Sequence, residues 1–338
     1  MQNLQHLNRI STGLGYLLKR ERVWGQPLFF TIETINSCNF RCVYCPQSDQ
    51  EHHFVNGRGI MALDDFKRII ANLRSSFDVR IVSLHRDGEP LLNKRLEEYV
   101  RHLTELGIYV TVSSNCSLLS DERARRLIRA GLRMVGTDFC AEAPLYERLR
   151  ARGVWEDTFE GIRRLLRAGV EQGADFRVVI KDMATHGISP HDAEALMART
   201  RALFSEWPDR VTVMPVYFHN ALGESVVNLS KGPVAPEQTL YTLCHQPWVN
   251  FTIDFAGRVV GCCRDLRSEY VLGNVLEQPA HEIWNGERMV NLRRALSDKR
   301  PQDIGICKAC DVPWQGSYSG RTSLEKIRNF FFAGAWRR

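Results

Sequence analysis

From residue 29 to residue 218 the chain alternates short runs of β-branched and aromatic residues with longer stretches whose apolar positions recur every three or four residues. FFTIETI (29–35) opens the series, and Leu63, Phe66, Ile69, Ile70 and Leu73 then form one helical stripe over 63–75. VRIVSLH (79–85) precedes a helix opened by Asn93, striped by Leu96, Tyr99, Val100 and Leu103, and stopped by Gly107. IYVTVSSN (108–115) leads to a helix capped by Ser120 and ended by Gly131, and RMVGTDF (133–139) to one over 157–168 stopped by Gly169. DFRVVIKD (175–182) precedes a helix with Ser189 at the N-cap, Pro190 at the first helical position and Asp192 completing a capping-box-like pair. VTVMPVYF (211–218) is the sixth strand-like run.

Six β units joined by helices imply parallel strands, because parallel neighbours need crossover connections. The expected fold is therefore α/β, a partial (β/α)6 TIM barrel. By analogy with closed barrels, functional groups should gather at the C-terminal ends of its strands. That places the 36–50 loop, His85 to Pro90, Ser113 to Cys116, Asp138 to Cys140, Lys181–Asp182 and His219–Asn220 around one mouth. Beyond about 221 the pattern changes: WVNFTIDFAGRVVGCC (248–263) reads as a hairpin turning at Phe255–Gly257, followed by a helical stretch over 279–297 and a Cys-x2-Cys loop. The expected domains are a helical extension over 1–25, the barrel over 26–225, and a smaller cysteine-bearing domain with a basic, aromatic tail over 226–338. The tail reads as a helix docked on the barrel or as a membrane-surface or partner helix.

Charge and composition narrow the function mainly by exclusion. An excess of Lys and Arg of 45 − 39 = +6, scattered along the chain, makes no case for nucleic acid. No apolar run reaches the roughly 18 residues of a membrane span. The first 25 residues lack the apolar segment of a signal peptide, so a cytoplasmic location is expected.

Ten cysteines change the picture. In a reducing compartment, thiols at short fixed spacing read as metal or catalytic ligands rather than disulfides. Cys38, Cys42 and Cys45 form C-x3-C-x2-C directly after the first strand. Three thiolates are one short of the four that hold a [4Fe–4S] cluster, leaving one iron open to a small ligand. A structural zinc site would want a fourth ligand that is not nearby. Cys244, Cys262, Cys307 and Cys310 form a second set, C-x17-C-x44-C-x2-C, able to hold zinc or a complete [4Fe–4S] cluster. Cys263 stands beside a ligand, and since hairpin neighbours face opposite sides, one of Cys262 and Cys263 should bind. Cys116 and Cys140 read as small buried hydrophobes or as hydrogen donors to a substrate radical.

The first cysteine motif, with Tyr44 before its last cysteine and Gly88-Glu89-Pro90 after the second strand, resembles the radical S-adenosylmethionine (radical SAM) enzymes. CHQPWVNFTIDFAGRVVGCC, LGNV (272–275) and EIWNG (282–286) resemble the C-terminal region of their SPASM/twitch group. The single four-cysteine set resembles members of the 2-deoxy-scyllo-inosamine dehydrogenase kind, which carry one auxiliary cluster. The resemblance implies S-adenosylmethionine (SAM) bound to the open iron, reductive cleavage to a 5′-deoxyadenosyl radical, and a second, auxiliary [4Fe–4S] cluster. It implies that Gly88 and Glu89 contact the SAM amino group, that Ser113 and Asn115 hold ribose or carboxylate, and that Tyr44 lies near adenine. Arg150 would pair with the SAM carboxylate or stand as an exposed helix-end arginine.

His85, Arg86 and Asp87 stand where relatives carry small residues, and are expected either to reach into the cavity and read substrate or to form a solvated turn. The leading expectation is oxidation of a secondary alcohol on a polar small molecule, such as a sugar, aminocyclitol or antibiotic precursor, with the auxiliary cluster as electron acceptor. Flavodoxin or ferredoxin would be the donor. The alternatives are epimerisation with Cys140 or Cys263 returning a hydrogen, and modification of a peptide side chain. His85 and Asp87 complete the candidate catalytic set.

Overall fold

The computed structural model describes residues 2–49, 54–216, 218, 241–308, 310 and 312–314. His219, Asn220, the 225/226 boundary and the aromatic tail lie outside the described residues. Nine strands form one sheet: β1 (Phe29–Ile32), β2 (Ile81–Ser83), β3 (Tyr109–Ser113), β4 (Met134–Phe139), β5 (Arg177–Asp182), β6 (Val211–Pro215), β7 (Asn250–Ile253), β8 (Arg258–Val260) and β9 (Val271–Asn274). Their order is β6-β5-β4-β3-β2-β1-β7-β8-β9. β1 to β6 pair in parallel, which is the expected open (β/α)6 barrel.

The C-terminal hairpin does not build a sheet of its own. β7 pairs in parallel with β1, Phe29 opposite Asn250 through Ile32 opposite Ile253, and β8 and β9 continue antiparallel from it. The turn between β7 and β8 contains Gly257 at φ +79°, a conformation L-residues avoid.

Helices cover the outer face: α1 (Gln2–Leu17), α2 (Leu63–Ser76), α3 (Leu96–Glu105), α4 (Asp121–Arg129), α5 (Ala143–Leu149), α6 (Trp155–Glu171), α7 (Pro190–Ala202), α8 (Gln246–Val249), α9 (Ala280–Trp284), α10 (Glu287–Ser297) and α11 (Gly305–Lys308). The expected stripes of α2 and α3 are the buried ones, and Phe66 meets Tyr99 at 4.8 Å between ring centres. The caps follow the sequence: Ser120 Oγ accepts from Arg123 N at 3.1 Å, and Ser189 Oγ from Asp192 N at 3.2 Å. Two expectations shift. The helix after β4 runs through Gly169 to Glu171, because Gly169 packs on Phe176 and the left-handed turn comes at Gly173 (φ +60°). The 279–297 stretch is two helices, α9 and α10, broken at Asn285–Gly286. Among the described residues no helix is long and apolar enough to cross a membrane.

Cys116, at φ +62°, is held between the end of β3 and α6. There Thr158 Oγ1 donates to Asn115 O at 3.0 Å, and a Cβ on Gly161 would fall 2.0 Å from the Cys116 carbonyl oxygen. Gly161→Ala should therefore overpack this contact and lower stability by about 1–3 kcal/mol, read as a lower urea midpoint. An unchanged midpoint would mean that α6 can back away from the turn.

Candidate active site

Strand alternation decides what the barrel interior contains. In β4, Val135, Thr137 and Phe139 are buried under the helices, so Gly136 and Asp138 face inward. The same parity directs Ser83 and His85, Thr111 and Ser113, and Lys181 inward, since Val82, Val110 and Ile180 are buried outward. Asp138 is cross-strand partner to Lys181. The inner face thus becomes polar where the strands end.

These groups are bonded to one another. Asp138 Oδ1 lies 3.6 Å from Lys181 Nζ, and Arg150 Nη1 reaches Asp138 Oδ2 at 3.2 Å and Tyr44 Oη at 2.8 Å. Burial would raise the Asp138 carboxyl, but Lys181 and Arg150 outweigh it and hold the group below its ordinary range. His85 Nδ1 meets Ser83 Oγ at 2.8 Å, and Thr111 Oγ1 donates to that hydroxyl at 2.7 Å. Burial, then Lys181, pushes His85 down to about 4, so it is neutral at physiological pH. Tyr44 stacks on Phe218 at 4.1 Å.

Two carboxylates are buried in the rim. Glu89 accepts from Ser114 Oγ at 2.7 Å, Asn115 N at 2.7 Å and Leu91 N at 3.0 Å, tying the end of β2 to the end of β3. Glu33, directly after β1, accepts from Asp87 N and Phe255 N, each at 3.2 Å, and faces Arg86 Nε at 3.4 Å. Burial, despite Arg86, raises Glu33 to about 8, with Asp87 and Asp254 adding to the rise. Arg86 therefore neither enters the cavity nor forms a solvated turn. Its side chain is buried between the barrel and the loop after Cys262.

The first cysteine loop is held from both sides. Arg41 N donates to Ala151 O and Val43 N to Leu149 O, so the loop is strapped to the end of α5. Gln47 Nε2 donates to Asn36 O at 2.8 Å and Asp87 O at 2.9 Å, closing the other side. Gly88 lies so near the 35–37 backbone that a Cβ would stand 2.3 Å from Ile35 O. Phe40 N donates to Cys38 Sγ at 3.4 Å. Burial, then Glu89, pushes the Cys38 thiol up to about 12, and burial raises Cys42 and Cys45 as well. Thiols so placed become thiolates only against a cation.

The second set repeats the arrangement. Arg264 N donates to Cys262 Sγ at 3.4 Å, the same i+2 amide-to-sulfur bond as at Cys38. Cys244 lies within electrostatic reach of both Cys262 and Cys307, and Cys310 within reach of Cys307, which brings the four thiols of the set into one neighbourhood. Cys263 is half-buried, with Sγ 3.8 Å from Gln246 Oε1. Among the described residues no three His, Cys, Asp or Glu side chains close at single-ion spacing. The thiolates of a cubane each take a different iron and stand further apart.

Of the remaining expected residues, Asn115 donates to Asn39 Oδ1 at 2.9 Å and accepts from Ser117, and Asp87 is buried against Glu33. Cys116 and Cys140 are fully buried, with Cys140 Sγ toward Glu142 O at 3.6 Å. Glu33, Gln47 and Ser114 were not anticipated. The one signal for Glu33 was an acid ending an otherwise apolar strand.

Residues 32–199 match the profile of the radical SAM superfamily, and 244–311 that of an iron–sulfur cluster-binding domain, SPASM. The chain belongs to the radical SAM superfamily. This radical SAM chain is 22% identical over 285 residues to the S-adenosyl-L-methionine-dependent 2-deoxy-scyllo-inosamine dehydrogenase of Niallia circulans, covering 83% of the chain and 91% of that protein. It is 32% identical to the PqqA peptide cyclase of Rhodopseudomonas palustris, over 37% of the chain and 32% of that protein. To the GTP 3',8-cyclase of Microcystis aeruginosa it is 29% identical over 56% of each. The chain thus spans only about a third to half of these two relatives. Among solved structures it shares its fold with BtrN in complex with AdoMet and 2-DOIA (TM-score 0.57, 18% identity, 84% of the chain and 93% of BtrN). It also does so with anSMEcpe bound to AdoMet and the Cp18Cys peptide (TM-score 0.57, 15% identity, 93% and 98%).

SAM and [4Fe–4S] clusters are the cofactors of this radical SAM enzyme, and the two largely half-buried, amide-supported thiol sets have the donor chemistry they require. Gly88→Ala should push the 35–37 backbone aside and cost the first cluster, cutting iron per reconstituted chain to about half. Full iron content would mean the loop tolerates the shift. For His85, whose folded value near 4 lies below its ordinary 6.5, stability is complete above about pH 6.5 and falls as the pH drops toward 4. His85→Gln should flatten that slope by on the order of 2 kcal/mol, measured by urea melts at pH 7 and pH 4.5.

Proposed function

We propose that this radical SAM enzyme oxidises a secondary alcohol of a sugar, aminocyclitol or antibiotic precursor to the ketone. The observation that carries the reading is the inner-face set Asp138, Lys181 and His85, in which an ionised acceptor, a cationic donor and a neutral imidazole stand together where the strands end. Such a set recognises hydroxyl and amino groups. Similarity to the inosamine dehydrogenase over most of both chains, and one four-thiol set, support it.

Held by Cys38, Cys42 and Cys45 and by Cys244, Cys262, Cys307 and Cys310, the cofactors would supply abstraction of a carbon-bound hydrogen by radical chemistry and an acceptor for one electron. The carbinol then still has to lose its hydroxyl proton. Asp138 holds that hydroxyl through its low-lying carboxylate. His85, neutral and bonded through Nδ1 to Ser83, takes the proton. Lys181 holds a neighbouring oxygen.

We assign Tyr44, Gly88, Ser113 and Arg150 to the SAM side of the cavity. Glu89 and Asn115 belong to it too: they hold the strand ends, and Glu89 Oε2, which takes the Asn115 amide, keeps acceptor capacity for the SAM amino group. Cys38, Cys42 and Cys45 hold the SAM-binding cluster, and Cys244, Cys262, Cys307 and Cys310 the auxiliary one. Epimerisation would need a thiol at the inner face. The full burial of Cys140 and the position of Cys263 beside Gln246 favour dehydrogenation over it. We place the enzyme in the cytoplasm, where thiol sets at cluster spacing stay reduced, with a flavodoxin or ferredoxin as its electron donor.

The test is anaerobic incubation with SAM, dithionite and a panel of carbinol-deuterated aminocyclitols and sugars. One deuterium should enter 5′-deoxyadenosine for each ketone formed. Asp138→Asn should lower turnover about ten- to a hundredfold, the worth of a hydrogen bond to a charged acceptor. Deuterium transfer accompanied by an inverted alcohol, or by a modified peptide and no ketone from any alcohol, would overturn the assignment.

A further inference from the structure

Arg86 bonds the barrel rim to the turn following Cys262 through several contacts at once. Its Nε faces Glu33 Oε1 at 3.4 Å, Nη1 donates to Asp265 O at 3.0 Å, and Nη2 donates to Leu266 O at 3.1 Å and Ser268 Oγ at 2.8 Å. The turn is fixed in itself as well: Asp265 N donates to Cys262 O and Ser268 N to Asp265 O, each at 3.0 Å. Ser268 Oγ also donates to Asp254 Oδ2 at 2.9 Å, and Arg258 Nε reaches the same oxygen at 2.7 Å. The Asp265 carboxylate accepts from Glu269 N and Tyr270 N, both at 2.9 Å.

The placement is costly unless it serves something. A guanidinium and a carboxylate buried side by side gain little over apolar residues of the same size, yet removing one partner leaves the other charge stranded. Arg86 and Arg258, with Arg264 and Arg267 in the turn itself, stand against Glu33, Asp87, Asp254 and Asp265 at this junction, and Arg264 also acts on Cys263. Arg86 is also within electrostatic reach of Cys263, next to Cys262. A fixed positive charge beside an iron–sulfur cluster stabilises its reduced, more negative form, and net charge together with hydrogen bonding to the sulfurs sets such potentials.

We propose that Arg86 is a positioning residue for the auxiliary cluster: it clamps the Cys262–Ser268 turn to the end of β2, and its charge raises the potential at which that cluster accepts an electron. The electron concerned is the single one left on the substrate after hydrogen-atom and proton loss, and it reduces the cluster by one charge. The inference rests on the cofactor assignment and not on the choice of substrate.

The experiment is an anaerobic redox titration of the reconstituted holoenzyme followed by electron paramagnetic resonance, with and without SAM. The signal that does not respond to SAM reports the auxiliary cluster. Arg86→Met should shift its one-electron equilibrium at least tenfold toward the oxidised form, about 59 mV downward for one electron, leaving the SAM-responsive signal in place. Arg86→Lys should recover more than half of that shift, because it restores the charge without the fork. Titrated at pH 9, where the Glu33 carboxyl is ionised, Glu33→Gln removes an opposing charge and should move the potential upward. An unmoved potential in an Arg86→Met protein of full iron content overturns the proposal, as does an Arg86→Lys shift as large as that of Met. Should Arg86→Met fail to hold the cluster, Glu33→Gln and Arg86→Lys decide by themselves, and a Glu33→Gln potential that stays level or falls overturns it. A failed search for an alcohol substrate would leave these potentials unchanged, so the two readings fail separately.

Discussion

Burying a carboxylate costs several kcal/mol unless its oxygens are matched by donors or opposite charge, and the rim of this barrel is organised around meeting that requirement twice. Glu89 takes a hydroxyl and two backbone amides from both sides of the β2–β3 boundary. Glu33 takes two backbone amides and a guanidinium from two segments far apart in sequence, residues 86–87 and 255. Each fixes the ends of strands, and the cysteine loops and the inner-face polar groups inherit their positions from those ends. Gly88 shows how tight the result is, since its neighbours leave no room for a methyl group.

Much of this architecture is legible in the chain. The strand–helix alternation predicts the parallel order of β1 to β6, and the apolar stripes of α2 and α3 are the faces that become buried. Local chemistry is legible too: Ser120 and Ser189 cap the helices they precede. Illegible were the features that depend on long-range pairing. Nothing local in NFTI says that β7 will lie beside β1, because a short apolar strand pairs as well in one sheet as in another. Gly169 was misread for the opposite reason: a glycine in a helix is a stop signal locally, but here it answers the approach of Phe176.

The site divides along the same line. Cysteine spacing announces both thiol sets because metal chemistry constrains residues close in sequence. Asp138 and Lys181 could be assigned to the mouth by counting strand ends. What residue order does not disclose is commitment. Asn115 and Glu89 tie strand ends together, a role their residue types do not announce, and Arg86 turned away from the cavity because Glu33 and the 265–268 turn offered it more partners. Polarity at a strand end is readable from sequence, whereas the direction of a long side chain depends on what else arrives there.

The pairing of β1 with β7 joins residues some two hundred positions apart, which bears on how the chain is made as well as how it stands. During synthesis β1 can pair with β2 early, but its other edge stays bare until residue 253 has left the ribosome. A central strand with an unpaired edge is a template for misassociation, and contacts closed over so long a loop form late. The first cysteine loop, which follows β1, therefore spends the whole of barrel synthesis beside an unfinished sheet. The chain's own C-terminal strands protect that edge, so completing the auxiliary-cluster unit is also the step that covers the bare side of β1.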